Sequence, residues 1–419
     1  MKTNPKKRKN TDVFFLICMP ICLLFSNLGY AQEAVNAQIT QHFRDGKAKY
    51  DARQYPAAIS SYTSALNLKA VDSIYLNLAA AYYLNGDYGK AMDAINSGLS
   101  LKPISTGPFL KLRGETYYVL NNIDAAIADY DEIIKVESDC VPCFINRGKY
   151  KTDIGEFDDA IADFTQAISL SDTSSVAYYQ RANAKFIIQD FEGALADAEK
   201  SIALNPKNCS SFFTKGLAKT VMEDYESAIS AFNRVSELSP TFEPAYLGRA
   251  YIFGRTKEYL EAVKELNQAI AFNPRKYESF MNRGTMYYFM GDYTTSINFT
   301  SIKDFNKAIE LKPSEEELYF RRSKVYNANK MYNEALADLN KAIEMNPDFY
   351  DYYFHRANNY EALNKFDLAL KDYNVALEMN PLDYRVFRMR AGLYEKLNKT
   401  TEAEADLEKA NDLETKSQN

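Results

Sequence analysis

The stretch from Tyr353 to Pro381, YFHRANNYEALNKFDLALKDYNVALEMNP, carries the pattern that constrains this chain most, because it returns every 34 residues through most of the sequence. Tyr353, Ala357 and Tyr360 fall at the three- and four-residue spacing of one helical face, and Phe366, Ala369, Tyr373 and Ala376 do so on a second helix. Asn364 and Lys365 form the turn between them. Pro381 can neither donate a backbone hydrogen bond nor continue a helix, so it closes the unit. The small side chains of Ala357 and Ala369 allow the two backbones to approach closely. One such hairpin covers only one side of each apolar face. It has to stack on another copy to complete a core.

The copies are present. The closing proline recurs as Pro206, Pro240, Pro274, Pro313, Pro347 and Pro381, with Pro103 earlier. The small residue of the first helix recurs as Gly114, Gly148, Ala182, Gly216, Ala250 and Gly284, and that of the second as Ala126, Ala160, Ala194, Ala228, Ala262, Ala335 and Ala369. A 34-residue helix-turn-helix with this pattern resembles the tetratricopeptide repeat family, over residues 39–417 in eleven consecutive units. The resemblance implies an all-α, right-handed superhelical solenoid that binds protein or peptide segments and uses no cofactor. The first unit, 39–71, has Ala70 in place of the proline, and the second runs over 72–106. Units three to eleven begin near Gly107, Val141, Ser175, Cys209, Glu243, Tyr277, Glu316, Tyr350 and Tyr384. The last unit, through residue 417, is strongly charged, as the uncovered face of an end unit requires. Residues 418–419 are a tail.

The eighth unit is five residues too long between Gly284 and Pro313, and TSINF at 295–299 followed by TSIKDF at 300–305 reads as a local duplication. Five residues turn a helix by roughly 500° and lengthen it by about 7.5 Å. The second helix must bulge, kink or overhang there, unless the turn absorbs the excess.

Residues 1–31 read as an address. Lys2, Lys6, Lys7, Arg8 and Lys9 precede an apolar run of thirteen residues, Val13 to Phe25, and Gly29-Tyr30-Ala31 supplies small residues before Gln32. This predicts a bacterial secretory signal cleaved after Ala31, a lead-in at 32–38, and a periplasmic or secreted protein with no stable membrane insertion after cleavage. The run falls short of the roughly 20 residues that span a bilayer. Cleavage removes five positive charges and one negative, taking the net charge from −6 to −10. An acidic surface repels phosphates, which disfavours nucleic acid as a partner.

A charge ladder runs through the repeats. Arg113, Arg147, Arg181, Arg249, Arg283, Arg322, Arg356 and Arg390 stand just before the small residue of the first helix. Sixteen residues on come Asp129, Asp163, Asp197, Glu265, Asp338, Asp372 and Asp406, with Asp304 after the insertion. Where Asp45, Leu78 or Lys215 replaces the arginine, the partner place holds Ser61, Ala94 or Ala231. This covariation predicts a structural pair inside each hairpin rather than between neighbours, with the guanidinium forked onto the carboxylate.

Catalytic patterns are sparse. His42 and His355 lie in units one and ten and cannot share a site. There is no phosphate-cradling glycine loop and no nucleophile elbow, so the chain reads as a non-enzyme. Cys140 and Cys143 form a CxxC at a unit junction, where a local disulfide or two free thiols are expected. Thiol-redox activity is a distant alternative, since both flanks are repeat helices and not strands. Zinc would need two further ligands that the nearby sequence does not supply.

Function therefore rests on surface. In the family the inner face is lined mainly by first helices, and one equivalent place there holds Tyr50, Tyr83, Tyr118, Phe186 and Tyr288. Thr152, Thr220 and Gly254 interrupt the series, and Asn327, Glu361 and Glu395 continue it. An aromatic groove grading into an acidic one suits an extended segment with basic residues at one end; equally, these rings pack between helices. At the places of the family's carboxylate clamp stand Phe43, Lys47, Asn77 and Leu112, of which only Asn77 matches. The expected activity is that of an exported scaffold binding protein or peptide, with a periplasmic adaptor or chaperone for envelope assembly as the alternative.

Overall fold

The structure, a computed structural model, describes residues 12–291 and 295–418, and side chains over 32–291 and 299–416. Among the described residues there are 22 helices and no strand. The chain divides into two compact units, Met1–Leu204 and Asn205–Asn419. The first holds α1 (Asp12–Asp51), α2 (Tyr55–Leu68), α3 (Asp72–Asn85), α4 (Tyr88–Ser100), α5 (Gly107–Val119), α6 (Ile123–Val136), α7 (Val141–Asp153), α8 (Phe157–Leu170), α9 (Ser175–Ile187) and α10 (Phe191–Leu204). The second holds α11 (Cys209–Val221), α12 (Tyr225–Leu238), α13 (Glu243–Arg255), α14 (Tyr259–Phe272), α15 (Tyr277–Met290), α16 (Thr295–Leu311), α17 (Glu316–Ala328), α18 (Tyr332–Met345), α19 (Tyr350–Ala362), α20 (Phe366–Met379), α21 (Tyr384–Lys396) and α22 (Thr400–Gln418). Within each unit every odd-numbered helix packs on the even one that follows, and that one on the next hairpin. The fold is an all-α helical repeat solenoid.

Local chemistry sets the helix ends. Pro240, Pro274, Pro347 and Pro381 each stand two residues beyond a helix, where no backbone donor is needed. The tight turn inside a hairpin needs one residue with positive φ, and Gly155 (85°) and Asn364 (58°) supply it without the crowding a branched side chain would meet. Asn122, Ser174 and Asp224 cap the helices that follow them by accepting from a backbone N–H.

In six hairpins the core is an aromatic ring seated on a small residue, and in others Ile95, Ala198, Leu266 or Leu339 takes its place. Tyr62, Tyr130, Phe164, Phe232, Phe305 and Tyr373 are at most 1% exposed. A Cβ added to Gly148 would lie 2.8 Å from the Phe164 ring, and one added to Gly216 would lie 2.6 Å from the Phe232 ring. Such distances leave no room for a methyl group. The helices approach as they do because the first one is bare at that point.

The ladder arginines make two kinds of contact. Within the hairpin, Arg147 Nε donates to Asp163 at 2.9 Å, Arg181 Nε to Asp197 at 2.8 Å, Arg356 Nε to Asp372 at 2.6 Å and Arg113 Nε to Asp129 at 2.9 Å. Arg249 reaches Glu265 through Nη2 at 2.6 Å, and the Nε groups of Arg283, Arg322 and Arg390 donate to Asp304, Asp338 and Asp406 at 2.8, 2.8 and 2.7 Å. The remaining Nη1 points the other way, to the second helix of the preceding hairpin. It donates to Asp131 from Arg147 (2.6 Å), Thr165 from Arg181 (3.0 Å), Asn267 from Arg283 (2.6 Å), Asn340 from Arg356 (2.8 Å) and Asn374 from Arg390 (2.6 Å). The arginine and the acid sixteen residues on thus lie in one hairpin, and the same guanidinium adds a bond to the preceding one. A guanidinium has a third edge, and in these five cases the polar residue two places after the preceding acid meets it, whereas Arg249 Nη1 donates to Ser236 Oγ and the Phe232 carbonyl. Arg356 also lies over the rings of Tyr353 and Tyr360, which cover its flat faces.

One expectation changes, and another is narrowed. Residues 32–38 form no separate lead-in, because α1 runs unbroken through them; the stretch has neither glycine nor proline, and Thr40 Oγ1 donates back to the Asn36 carbonyl. In the eighth unit α16 has 17 residues where α14 and α18 have 14, and α15 has 14 where α13 has 13. Four of the five extra residues thus extend helix ends, three of them adding about 4.5 Å to α16. From Ser301 on, the repeat register is restored. Ser301 takes the place of the small alanine and donates to the Gly284 carbonyl at 2.7 Å. The basic residues and apolar side chains on which the expected secretory signal rests lie outside the described residues. Among the described residues no helix is long and apolar enough to cross a membrane.

Replacing Arg283 by Ala strands Asp304, which is 5% exposed, and frees Asn267. The expected loss is about 3–5 kcal/mol of unfolding free energy, while Arg283→Met with Asp304→Leu recovers most of it. Chemical denaturation of the three proteins measures this, and an unchanged midpoint for Arg283→Ala refutes a structural role.

Candidate functional site

Three of the five groove candidates pack inside their own hairpin. Tyr50, Tyr83 and Phe186 meet Tyr55, Tyr88 and Phe191 edge-on at 5.8, 5.6 and 5.4 Å, the partner in each case opening the second helix. All three are half-buried and keep one side open. Tyr118 differs. It stacks on Tyr150 of the next first helix at 4.4 Å, donates to Asp153 at 2.8 Å, and has Lys149 Nζ 4.8 Å from its ring centre. Glu115, one turn before it, has its carboxyl raised by burial.

The fifth candidate, Tyr288, belongs to a different arrangement in the second unit. There two clefts adjoin and share the ring of Phe289. The larger, about 240 Å³, lies between α13 and α15 and is walled by Tyr251, Gly254, Leu266, Met286 and Phe289. It exists because Gly254 occupies the place that is aromatic elsewhere: a side chain there would grow toward Met286, whose Sδ is only 3.2 Å from an added Cβ. Tyr251 and Phe289 are 57% and 54% exposed, far more than the core aromatics, and Tyr259 stacks on Phe289 at 5.6 Å. The smaller cleft, about 50 Å³, is lined by Thr285, Tyr288, Phe305, Arg321 and Lys324.

The two cations of the smaller cleft are unequal. Arg321 is held by Glu317, its Nε donating at 2.9 Å, and its Nη1 donates to Thr285 Oγ1 at 3.3 Å. Lys324 Nζ lies 4.2 Å from the Phe320 ring centre, and among the described residues no carboxylate lies within ion-pair distance of it. Burial, and then the charge of Arg321, push its ammonium below the ordinary lysine value.

Sequence models of the tetratricopeptide repeat match residues 43–103 and 354–413, and a second such set matches 175–208 and 316–349. Those segments are tetratricopeptide repeats. Similar solved structures include MamA, at 27% identity over 39% of this chain and 96% of that one, with a TM-score of 0.37. A tetratricopeptide repeat protein from Parabacteroides merdae is 20% identical over 63% of this chain and 98% of its own, TM-score 0.46. Human IFIT1, solved as a dimer with m7Gppp-AAAA, is 15% identical over 82% and 90%, TM-score 0.42. No curated protein matches the chain.

On the tetratricopeptide repeats α17, α19 and α21, the acids expected to line the groove are unequally available. Glu361 accepts from Lys396 at 2.7 Å and from Tyr373 Oη at 2.8 Å, so its charge is committed within the fold, whereas Glu395 is exposed. Asn327 is bonded to Asn359 at 3.0 Å. Sequence reasoning passed over Tyr251, Phe289, Arg321 and Lys324, none of which sits at the repeat position it followed. Their signal is a departure from periodicity: large aromatics one residue past, or three before, the groove place.

His355 sits beside this face, between the rings of Phe320 and Phe354 at 5.2 and 5.3 Å. Burial, then the charges of Lys324 and Arg385, push its pKa from 6.5 down to about 4. The folded state prefers neutral imidazole, so between those values the unfolded chain binds more protons and stability falls as pH drops. From about pH 7 to about pH 4.5 the wild type is expected to lose about 2–3 kcal/mol more than His355→Gln. Denaturant titrations of both proteins at the two pH values test this; equal losses rule out the buried neutral histidine.

Proposed function

We propose that this protein is an exported, non-catalytic scaffold that binds an extended protein or peptide segment on its first-helix face, with the α13–α15 cleft receiving a large apolar side chain. The observation that carries the reading is the cleft of about 240 Å³ opened by Gly254 between two exposed aromatic walls. Binding sites of this kind are largely apolar with a few placed polar groups. Next to it, Lys324 offers a cation with no partnering carboxylate among the described residues, which suits an acidic side chain on the same segment. The net charge of −6 supports a protein ligand over a nucleic acid. Export rests on the basic and apolar pattern of residues 1–31, and the absence of catalysis on the lack of a nucleophile with its base in the sequence.

The test is selection of a displayed random-peptide library on the protein, followed by titration of a synthetic copy of the consensus. The consensus is expected to hold a large apolar residue and an acidic one. Gly254→Leu, which fills the cleft, should weaken the peptide at least about tenfold, equivalent to about 1.4 kcal/mol, and Lys324→Glu should also weaken it. A consensus without the apolar residue, or full affinity in Gly254→Leu with its helix content intact, sinks the proposal.

A further inference from the structure

The bond between Cys140 and Cys143 closes across the first turn of α7, and its two ends differ. Cys140 is the N-cap residue and is half-buried. Cys143, the third residue of the helix, is 0% exposed and packs against Leu110, Tyr130, Ile133 and Tyr150. An incoming thiolate can therefore reach one sulfur only. The same sulfur, once released, lies at the positive end of a 13-residue helix, where a thiolate is stabilised. Cys143 in its apolar surroundings is better kept as a thiol. Glu137 completes the group: one carboxylate oxygen and both sulfurs lie within 4.8 Å of one another, and Lys111 holds that carboxylate at 3.2 Å. A proton acceptor thus stands beside the buried sulfur. The all-helical surroundings that argued against redox chemistry in the sequence still supply what exchange requires, namely one accessible sulfur, one buried sulfur and a helix start.

We propose that Cys140–Cys143 is an exchangeable disulfide that oxidises a dithiol on a partner protein. A partner thiolate attacks Cys140 Sγ; the bond between the two cysteines breaks, and Cys143 Sγ leaves with the electron pair and takes a proton by way of Glu137. The partner's second thiolate then attacks its own sulfur in the mixed disulfide and expels Cys140 as a thiolate. Two electrons pass to the cysteine pair, and the partner dithiol becomes a disulfide. Its two protons go to Cys143 and to Cys140 or solvent, according to pH.

The experiment uses the full chain with Cys18, Cys22 and Cys209 replaced by Ser, adding either Cys143→Ser or Cys140→Ser, and follows reaction with an aromatic disulfide reagent across pH. The Cys143→Ser protein, which keeps Cys140, is expected to react at least about tenfold faster at neutral pH than glutathione, with a rate midpoint below the ordinary thiol pKa of about 8.5. The Cys140→Ser protein, which keeps the buried Cys143, should react only on unfolding. In the two-cysteine protein, dithiothreitol should reduce the bond without loss of helix content. Equal reactivity of the two single-cysteine proteins, an ordinary midpoint for Cys140, or reduction only on unfolding overturns the proposal. So does stoichiometric zinc held by the reduced protein and lost in Glu137→Gln, which would make the group a metal site.

Discussion

Six of the hairpins depend on one close approach, the seating of a second-helix aromatic ring on a small first-helix residue, and aliphatic side chains such as Leu266 and Leu339 fill the same place in others. Phe164 over Gly148 and Phe232 over Gly216 leave less space than one methyl group requires. That contact sets the spacing of the two helices, and in the Gly148 hairpin Arg147, one residue earlier, reaches Asp163 on the facing helix. The same ion pair forms where Ala198, Leu266 or Leu339 replaces the ring. A guanidinium largely removed from water and bonded along its edges retains its charge because each edge has an acceptor.

The arginine also explains how one hairpin is positioned on the next. Apolar faces alone tolerate sliding, since hydrophobic burial is not directional. The Nη1 bond from Arg283 to Asn267, or from Arg356 to Asn340, is directional and short, and it forms only when successive hairpins are in register. The bare place on the first helix thus governs both the inside of a unit and its seat on the previous one. Where the sequence breaks the rule, surface features appear. Gly254 in the groove position opens a cleft, and the insertion before Ser301 lengthens a helix end without disturbing the core that follows.

Most of the repeat fold was legible because its causes are local and periodic. The prolines, the small residues and the turn asparagines each act within a few residues of their own position, and repetition makes each one visible several times. The candidate site was less legible for the same reason. Tyr83 and Phe186 occupy a regular position and spend one side of their rings inside the hairpin, while Tyr251 and Phe289 lie off that position and stand half in solvent. Glu361 reads as a groove acid in the sequence, yet Lys396 and Tyr373 hold it.

The sequence by itself determined that the chain is a run of helical hairpins, where the hairpins lie in the second unit, and that an arginine and an acid recur sixteen residues apart. Period, capping and charge spacing are properties of neighbours along the chain. Only the tertiary structure decided that the arginine has a third partner on the preceding hairpin, that one groove position opens as a cleft, and that Glu137 stands beside two cysteines of unequal exposure. Those relations join residues on different helices, at distances that depend on how closely the backbones approach, and a linear pattern does not encode that distance.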